Sequence, residues 1–478
     1  MISFVLSLCL LIAGYFIYGR LTEKIFGIDI QRRMPAFEQQ DGIDFLPMKT
    51  WKVFMIQFLN IAGLGPIFGA IMGAKFGISS YLWIVFGSIF AGAVHDYLAG
   101  MMSLRMGGAS LPEIHGKYLG NGVKQFMRGF MVVLMILVGV VFVIGPAGLL
   151  ANLTPDYLNT SVWIGIIIIY YFLATMLPID KIIGKIYPFF GICILFMAVG
   201  VMVCLFLHHP VLPELWDGLG NRHPQAASNP VFPMMFVSIA CGAISGFHAT
   251  QSPLMARCLT NERYGRPVFF GAMIIEGVVA LIWAAAASYF FYDTENGKAL
   301  FETGTNAAII VNDIARSWMG QLGAVLVVLG VIFAPISTGD TAFRSARLII
   351  ADGLHVSQKP VLKRLWIALP LFAVALVVLF FSLYDKNGFE TIWRYFAWTN
   401  QTLAVFTLWA ITVYLRQQRK PYLLTLIPAA FMTMVCSTFV FVQKDGFLGL
   451  DATVSYLLGG GITLIVVVLF FVLGKRTV

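Results

Sequence analysis

Apolar stretches of membrane-spanning length follow one another almost from one end of this chain to the other. Crossing a bilayer takes a helix of about 20 mostly apolar residues, because hydrocarbon offers the backbone no hydrogen-bond partners. Of the 478 residues, 59% are hydrophobic and only 12% are charged, and the mean hydropathy is +0.85. Soluble proteins carry about twice that share of charge. We therefore predict an all-α integral membrane protein.

The hydropathy pattern predicts about thirteen transmembrane helices. The first stretch has neither a basic start nor a small-residue cleavage site, so we expect a retained helix rather than a signal peptide. The predicted spans are residues 1–19, 53–75, 81–103, 130–151, 162–177, 187–207, 234–255, 268–292, 318–334, 366–384, 391–415, 422–442 and 454–473.

Lysine and arginine are concentrated in alternate loops, and such loops are typically cytoplasmic. This asymmetry predicts that the amino terminus lies outside and the carboxyl terminus inside. It also explains the net charge of +9 without a nucleic-acid partner. The six cysteines show no paired metal-ligand spacing, so we expect core residues. The basic stretches are residues 20–52, 105–128, 181–185, 257–266, 344–364, 416–420 and 475–476.

Two predicted spans carry helix-breaking residues at corresponding positions. Residues 61–66 read IAGLGP and residues 240–248 read ACGAISGFH, and glycine and interior proline both weaken a helix. The two spans run in opposite directions and lie five spans apart, which is typical of an inverted repeat of five plus five helices. Close packing of small residues between helices is the alternative explanation.

The predicted organisation is a single transporter domain over residues 1–478. An extra helix at 1–19 precedes the first repeat at 53–207, the second repeat occupies 234–415, and two further helices follow at 421–474.

The two breaks are the candidate solute site. Unwound half-helices expose N–H groups that suit a carboxylate and carbonyls that suit a cation. His248 can equally be a structural histidine, and the polar groups of the eleventh span can equally be interhelical hydrogen bonds. The candidate substrate-binding residues are Gly63, Gly65, Pro66, Ser245, Gly246, His248, Gln251, Asn400 and Gln401.

Ionisable groups inside spans are costly, by about 2.5–3.5 kcal/mol on insertion scales, and therefore mark candidate coupling sites. Sodium would lie between the carbonyls near the first break and hydroxyls of the ninth span, whereas a proton would titrate a carboxylate or His248. A salt bridge from Asp340 to Arg344 is the structural alternative. No cofactor is expected. The candidate coupling residues are Asn60, Ala62, Asp96, Glu276, Ser337, Thr338, Asp340 and Thr341.

Several motifs together resemble the carbon starvation protein A family of bacterial inner-membrane carriers. They are residues 41–47 (DGIDFLP), 61–66, 90–96 (FAGAVHD), 245–249 (SGFHA), 340–342 (DTA) with Arg344, and 400–404 (NQTLA).

The resemblance implies a LeuT-like core of the amino acid, polyamine and organocation transporter superfamily. It also implies import of pyruvate or short peptides when preferred carbon sources run short. Many relatives are longer, and many have a pair of histidines where this chain has Ile56 and Gln57. This difference bears on coupling and cargo.

The leading functional hypothesis is a solute:cation symporter that works by alternating access, with sodium and proton both open as coupling ion. An intramembrane serine hydrolase is the alternative from another class, because Ala243, Ser245 and Gly246 resemble a Gly-x-Ser-Gly motif. Such an enzyme would need a histidine within reach of Ser245, and His95 is the interior candidate. A passive channel is the third possibility.

Overall fold

The computed structural model describes residues 1–177, 183–303, 307–384 and 388–473, and within these ranges the regular structure is helical throughout. The predicted all-α fold is confirmed. The α-helices are α1 Ile2–Phe26, α2 Pro35–Glu38, α3 Thr50–Ile61, α4 Ala70–Ala74, α5 Ser79–Phe86, α6 Ala93–Arg105, α7 Leu111–Leu119, α8 Asn121–Ala151, α9 Thr160–Met176, α10 Ile183–His208, α11 Phe236–Ser238, α12 Ala240–Ala243, α13 Gly246–Ala256, α14 Gly271–Asp293, α15 Glu295–Thr303, α16 Ala307–Leu354, α17 Val361–Tyr384, α18 Gly388–Gln417, α19 Leu423–Val442 and α20 Ala452–Leu473.

Short π-helical segments join or extend several of these helices. They occur at Gly65–Gly69, Gly87–Gly92, Val231–Met235 and Arg266–Phe270. The wider turn changes the direction of the side chains that follow it, and such segments are frequent at functional sites. Two of the four lie directly beside the breaks: Gly65–Gly69 follows the first break, and Gly87–Gly92 packs against Ala243 at the second.

Nine helices in the described residues are long and apolar enough to cross a membrane, and the bent pair of α3 with Gly65–Ala74 makes ten. The predicted spans at 162–177, 234–255 and 391–415 are helical in whole or in part but are not among these ten. The total of about thirteen therefore stays a prediction. Lys181, Lys475 and Arg476, which entered the orientation argument, and residue 474 lie outside the described residues.

Burial separates central from peripheral helices. In the segment Glu262–Asp293, which ends in α14, 89% of the most apolar stretch is buried, and in Ser79–Arg105 the share is 83%. In α20 only 17% of the corresponding stretch is buried. The exposed face of α17 includes Trp366 and Leu369, which suit contact with lipid. Helix α13 packs against α6, α3 and α18, so the second break lies at the centre of the bundle.

Candidate functional site

The first break separates α3 from α4. Helix α3 ends at Ile61, and Ala62 departs from helical geometry with φ −78° and ψ 59°. The two halves are bent by 52°. Pro66 lies at the start of the π-helical turn Gly65–Gly69, where its missing N–H removes no intrahelical bond. The chain is thus interrupted where the sequence predicts it.

The second break lies between α12 and α13. Ile244 and Ser245 are extended, with φ −157° and −144°. The N–H of Ile244 still donates to the Ala240 carbonyl at 3.1 Å, and the helix ladder is interrupted after it. Asn400 Oδ1 accepts hydrogen bonds from Ser245 Oγ at 3.0 Å and from the N–H of Phe247 at 2.7 Å. Gln401 Nε2 donates to the Ile244 carbonyl at 3.1 Å. Asn400 and Gln401 therefore form the interhelical hydrogen bonds left open above.

The two breaks pack directly on each other. A Cβ added to Gly65 would overlap the side chain of Cys241, and a Cβ added to Gly242 would come within 3.8 Å of Pro66 Cα. Gly246 is equally restricted, because a Cβ there would overlap the backbone of α18. These glycines allow close helix contact, as the packing alternative requires, and they also bring both breaks into one place.

Four titratable side chains form a continuous buried row beside the second break. We call His95, Asp96, His248 and Glu276 the acid–histidine chain. Asp96 lies between the two histidines, with Oδ1 2.8 Å from His95 Nδ1 and Oδ2 2.8 Å from His248 Nδ1. His248 Nε2 is 3.3 Å from Glu276 Oε2. All four side chains are fully buried.

The acid–histidine chain connects three central helices. His95 and Asp96 come from α6, His248 from α13 and Glu276 from α14. Two carboxylates and two imidazoles in contact can share protons between neighbours, so a proton on one group changes the charge beside the next. Burial makes any uncompensated charge among these helices expensive.

Hydroxyl groups of α16 reach the first break. Ser337 Oγ and Thr338 Oγ1 can each donate to the Leu59 carbonyl, at 3.2 and 3.0 Å, one residue before the carbonyls considered for sodium. Both also lie within hydrogen-bond distance of the Ala334 carbonyl in their own helix, at 2.7 and 3.1 Å. Thr341 instead bonds to carbonyls of its own helix. Two of the three predicted hydroxyl donors thus lie at the break and the third does not.

Asp340 lies in a separate polar site on α16. Tyr170 donates to its Oδ2 at 2.8 Å, and Tyr187 donates to its Oδ1. The alternative pairing with Arg344 is wrong, because Arg344 instead reaches Asp44, with Nη1 3.3 Å from Oδ1. Sequence spacing favoured the nearer partner, whereas the packing turns the guanidinium toward the loop before α3.

The remaining candidates bond to polar side chains of their own or neighbouring helices. Gln251 Nε2 donates to Thr250 Oγ1 at 2.8 Å, and Ser345 Oγ lies 3.4 Å from Gln251 Oε1. Ser245 donates to Asn400, so its hydroxyl forms no hydrogen bond with a histidine. A serine–histidine dyad is therefore not assembled in this conformation.

Two carboxamides just before the first break have no hydrogen-bond partner among the described residues. Gln57 and Asn60 lie about one turn apart on α3, and both are fully buried. Their four side-chain N and O atoms are unsatisfied, as is Nε2 of His95. Buried polar atoms without partners are rare, since each costs about 1–3 kcal/mol. They indicate a position where a solute or water completes the site.

Sequence analysis missed three of these residues. Gln57 was noted only as a difference from relatives, although a polar residue on an apolar helix could have marked it as a candidate site residue. Tyr170 and Tyr187 gave no signal, because tyrosines are ordinary membrane-helix residues and only the fold brings them to Asp340. His95 was predicted, with Asp96, as one of the ionisable places inside a span, and as the histidine that a hydrolase would need.

Solved transporter structures share this fold. A manganese transporter of Eremococcus coleocola matches 92% of this chain and 99% of its own chain, with a TM-score of 0.58 and 15% sequence identity. A second structure of that transporter has a TM-score of 0.57 at 14% identity. At such identity the likeness shows the fold alone.

Sequence relatives cover most of the chain. A Haemophilus influenzae protein described as an uncharacterized membrane protein is 45% identical over 350 residues, 63% of this chain and 93% of that protein. The peptide transporter CstA of Bacillus subtilis is 28% identical over 98% of this chain and 94% of its own length. The pyruvate/proton symporter BtsT of Escherichia coli is 28% identical over 56% of this chain and 46% of its own.

The family described as carbon starvation protein CstA matches residues 1–156, 151–321 and 294–439. These overlapping segments cover residues 1–439, a region that contains both breaks and the acid–histidine chain. The named relatives are transporters rather than enzymes. The chain therefore belongs to the carbon starvation protein CstA family and is a multi-pass solute transporter of the bacterial inner membrane.

Proposed function

We propose that this chain is a proton-coupled symporter that imports pyruvate or a short peptide by alternating access. The observation that carries the proposal is the acid–histidine chain, a fully buried row of four titratable groups directly beside an unwound helix. Buried acids and histidines within membrane helices mark proton pathways in transporters. The relative described as a pyruvate/proton symporter supports the same coupling ion.

Protonation would change the helix contacts that open and close the site. With Asp96 ionised, both histidines donate to it; the bond from His248 holds α13 against α6, and the bond from His95 stays within α6. A proton added at Glu276 or His248 alters the charge balance between α13 and α14, where the 3.3 Å approach joins the two helices. Solute binding at the adjoining breaks would then be linked to the proton.

The finer topology forms part of the proposal. It comprises thirteen spans, an outer amino terminus, an inner carboxyl terminus, and repeats of five helices at 53–207 and 234–415. Direct packing of Gly65 against Cys241 supports it, because inverted repeats bring their broken helices together at midplane.

The solute would bind between the breaks. Its carboxylate would lie near the start of one half-helix, at Gly65 and Pro66 or at Gly246 and His248. The second of these ends already holds the side-chain oxygen of Asn400, so the first is the better candidate. Gln57 and Asn60 would supply the missing hydrogen bonds from α3.

Sodium is the second candidate coupling ion because Ser337 and Thr338 converge on the Leu59 carbonyl. Hydroxyl and carbonyl oxygens are the ligands that a hard cation prefers. Sodium binding would require both hydroxyls to rotate their protons away from that carbonyl. Proton coupling requires no such rearrangement of the first break.

Uptake into proteoliposomes tests the proposal. Labelled pyruvate and a labelled dipeptide are supplied separately under an inward proton gradient, an inward sodium gradient, or neither. We expect one solute to accumulate with the proton gradient and to leak out again when a protonophore is added. Accumulation of solute under the sodium gradient alone would identify sodium rather than the proton as the coupling ion. Equilibration of the solute without accumulation would indicate a passive channel.

Asp340→Asn separates the two carboxylate sites in the same assay. Asp340 lies outside the acid–histidine chain and bonds to two tyrosines. Loss of coupled uptake in this variant, with normal uptake in Asp96→Asn, would move the coupling site from the chain to Asp340.

A further inference from the structure

A second charged site lies away from both breaks, where α9 ends and α17 begins. It contains three almost fully buried arginines, Arg344 and Arg347 from α16 and Arg364 from α17, which we call the arginine cluster. Asp44, in the loop before α3, is the one carboxylate of the described residues within 4 Å of these guanidinium groups. Within the described ranges, which leave out residues 178–182 after α9, the site thus places three positive charges against a single negative one.

Part of this charge has visible compensation. Arg344 Nη2 donates to the carbonyls of Ala174 and Leu177 at 2.5 and 2.6 Å, and Arg364 Nη1 donates to Met176 at 2.8 Å. These carbonyls end α9, where the helix dipole favours a cation. Such partial charges do not balance two excess guanidinium charges.

Asp44 is held ionised by the surplus. Burial raises the pKa of its carboxyl group, but Arg344, Arg347 and the neighbouring Arg257 outweigh burial and the pKa is lowered overall. Arg257 has its own partners in the Gly108 carbonyl, at 2.9 Å, and the Phe45 ring. It therefore does not share in the deficit of acceptors.

Four N–H positions of the arginine cluster lack an acceptor in the described part of the chain. They are Nε of Arg344, Nε and Nη2 of Arg347, and Nε of Arg364. Arg347 is fully buried; its Nη1 donates to the side-chain oxygen of Gln358, whereas its nearest carboxylate oxygen, Asp44 Oδ2, is 3.9 Å from Nη2, beyond hydrogen-bond distance. Buried guanidinium N–H groups without acceptors are costly, so an anion bound beside them would stabilise this arrangement.

The cluster adjoins a surface suited to lipid. Leu362, Trp366 and Leu369 of α17 are 67%, 74% and 57% exposed, and Leu173 of α9 is half exposed. An exposed tryptophan near the start of a membrane helix is typical of the interface with the head groups. Arg364 thus lies within two residues of side chains that face the bilayer.

We propose that the arginine cluster binds a phosphate group, supplied by an anionic phospholipid head group or by free phosphate. A phosphate offers several strong acceptor oxygens and up to two negative charges, which match the four unpaired N–H positions and the two excess positive charges. Basic pockets between membrane helices bind lipid head groups in this way. The proposal does not depend on the transported solute.

Native mass spectrometry of the full chain in detergent tests the lipid source. The purified protein is mixed with phosphatidylglycerol or phosphatidylcholine, and bound lipid is counted. We expect one retained phosphatidylglycerol in the wild type and a loss of most of it in Arg347→Gln. Arg316→Gln is the matched control, because Arg316 is an exposed arginine of α16 that lies on the other side of the kink at Gly320 from the arginine cluster.

Thermal denaturation of the delipidated wild type tests the free anion. Its midpoint is measured in sodium phosphate and in sodium chloride at equal ionic strength, so the result stands even if Arg347→Gln fails to fold. A higher midpoint in phosphate without retained lipid supports free phosphate as the occupant. Equal retention of both lipids together with equal midpoints in both salts would overturn the proposal.

Discussion

The two broken helices differ in how their polar groups are satisfied. At the second break, α18 provides the partners, because Asn400 accepts from Ser245 and Phe247 and Gln401 donates to Ile244. The unwound backbone there is anchored to a continuous helix. This break is built as a fixed part of the bundle.

The first break is less complete. Ser337 and Thr338 satisfy the Leu59 carbonyl, yet the side chains of Gln57 and Asn60 remain without partners in the described residues. Polar groups without hydrogen-bond partners are costly inside a membrane, because no water is present there to bind them. The comparison teaches that α18 closes the unwound backbone of the second break, although Nε2 of His248, Oε1 of Gln401 and the Glu276 carboxylate lack hydrogen-bond partners among the described residues. Beside the first break, the two carboxamides have no such partner on any of their polar atoms.

The largest effect should follow from removing the titratable group beside the closed break. We expect His248→Gln to abolish proton-driven accumulation of solute, because the substitution removes the link between Asp96 and Glu276. Uptake into proteoliposomes under a proton gradient measures this. His223→Gln, on a loop, serves as the control and should transport normally. Undiminished accumulation in His248→Gln would rule out this chain as the coupling site.

Asn400→Leu should destabilise the second break. The change leaves Ser245 Oγ and the Phe247 N–H without their acceptor, which should lower the free energy of unfolding by about 1–3 kcal/mol. Denaturation in nanodiscs measures the loss. The control is Thr399→Val, because Thr399 bonds only to its own helix. Equal stability of the two variants would mean that α18 does not anchor the break.

Gln57→Leu, beside the first break, should not lower the stability as Asn400→Leu does. Replacing an unsatisfied carboxamide with an apolar side chain of similar size should leave the melting temperature unchanged or raise it. The apparent KM should rise by about 10-fold, since one lost hydrogen bond of about 1.4 kcal/mol has that effect. A fall in stability as large as that of Asn400→Leu, with unchanged KM, would remove the difference between the breaks.

Thr338→Val should have the smallest effect. The hydroxyl bond to Leu59 is one neutral hydrogen bond, so its loss should cost about 0.5–1.5 kcal/mol. If a proton drives transport, uptake should stay close to wild type at all sodium concentrations. A strong, sodium-dependent defect in this variant would instead place the coupling ion at the first break.

Local sequence signals were enough for the helices and for the interruptions. Hydropathy reports the preference of each stretch for lipid, and residues such as Gly65 and Pro66 act on the backbone within one turn. The motifs around Asp96, Ser245 and Asn400 also indicated the family, which the matched segments confirm. None of these inferences requires knowledge of which helices touch.

Partners distant in sequence could not be predicted in this way. Asn400 lies 155 positions from Ser245, and Arg344 lies 300 positions from Asp44. Sequence spacing offered Asp340 as the partner of Arg344, and the fold gave Asp340 two tyrosines instead.

The sequence by itself determined a many-helix membrane protein with two weak points in its helices, because solvent preference and backbone propensity are properties of short segments. Only the tertiary structure decided which break is closed, which carboxamides stay unpaired and which arginines gather around Asp44. The physical reason is that hydrogen bonds and ion pairs depend on distances of about 3 Å, which helix packing alone determines.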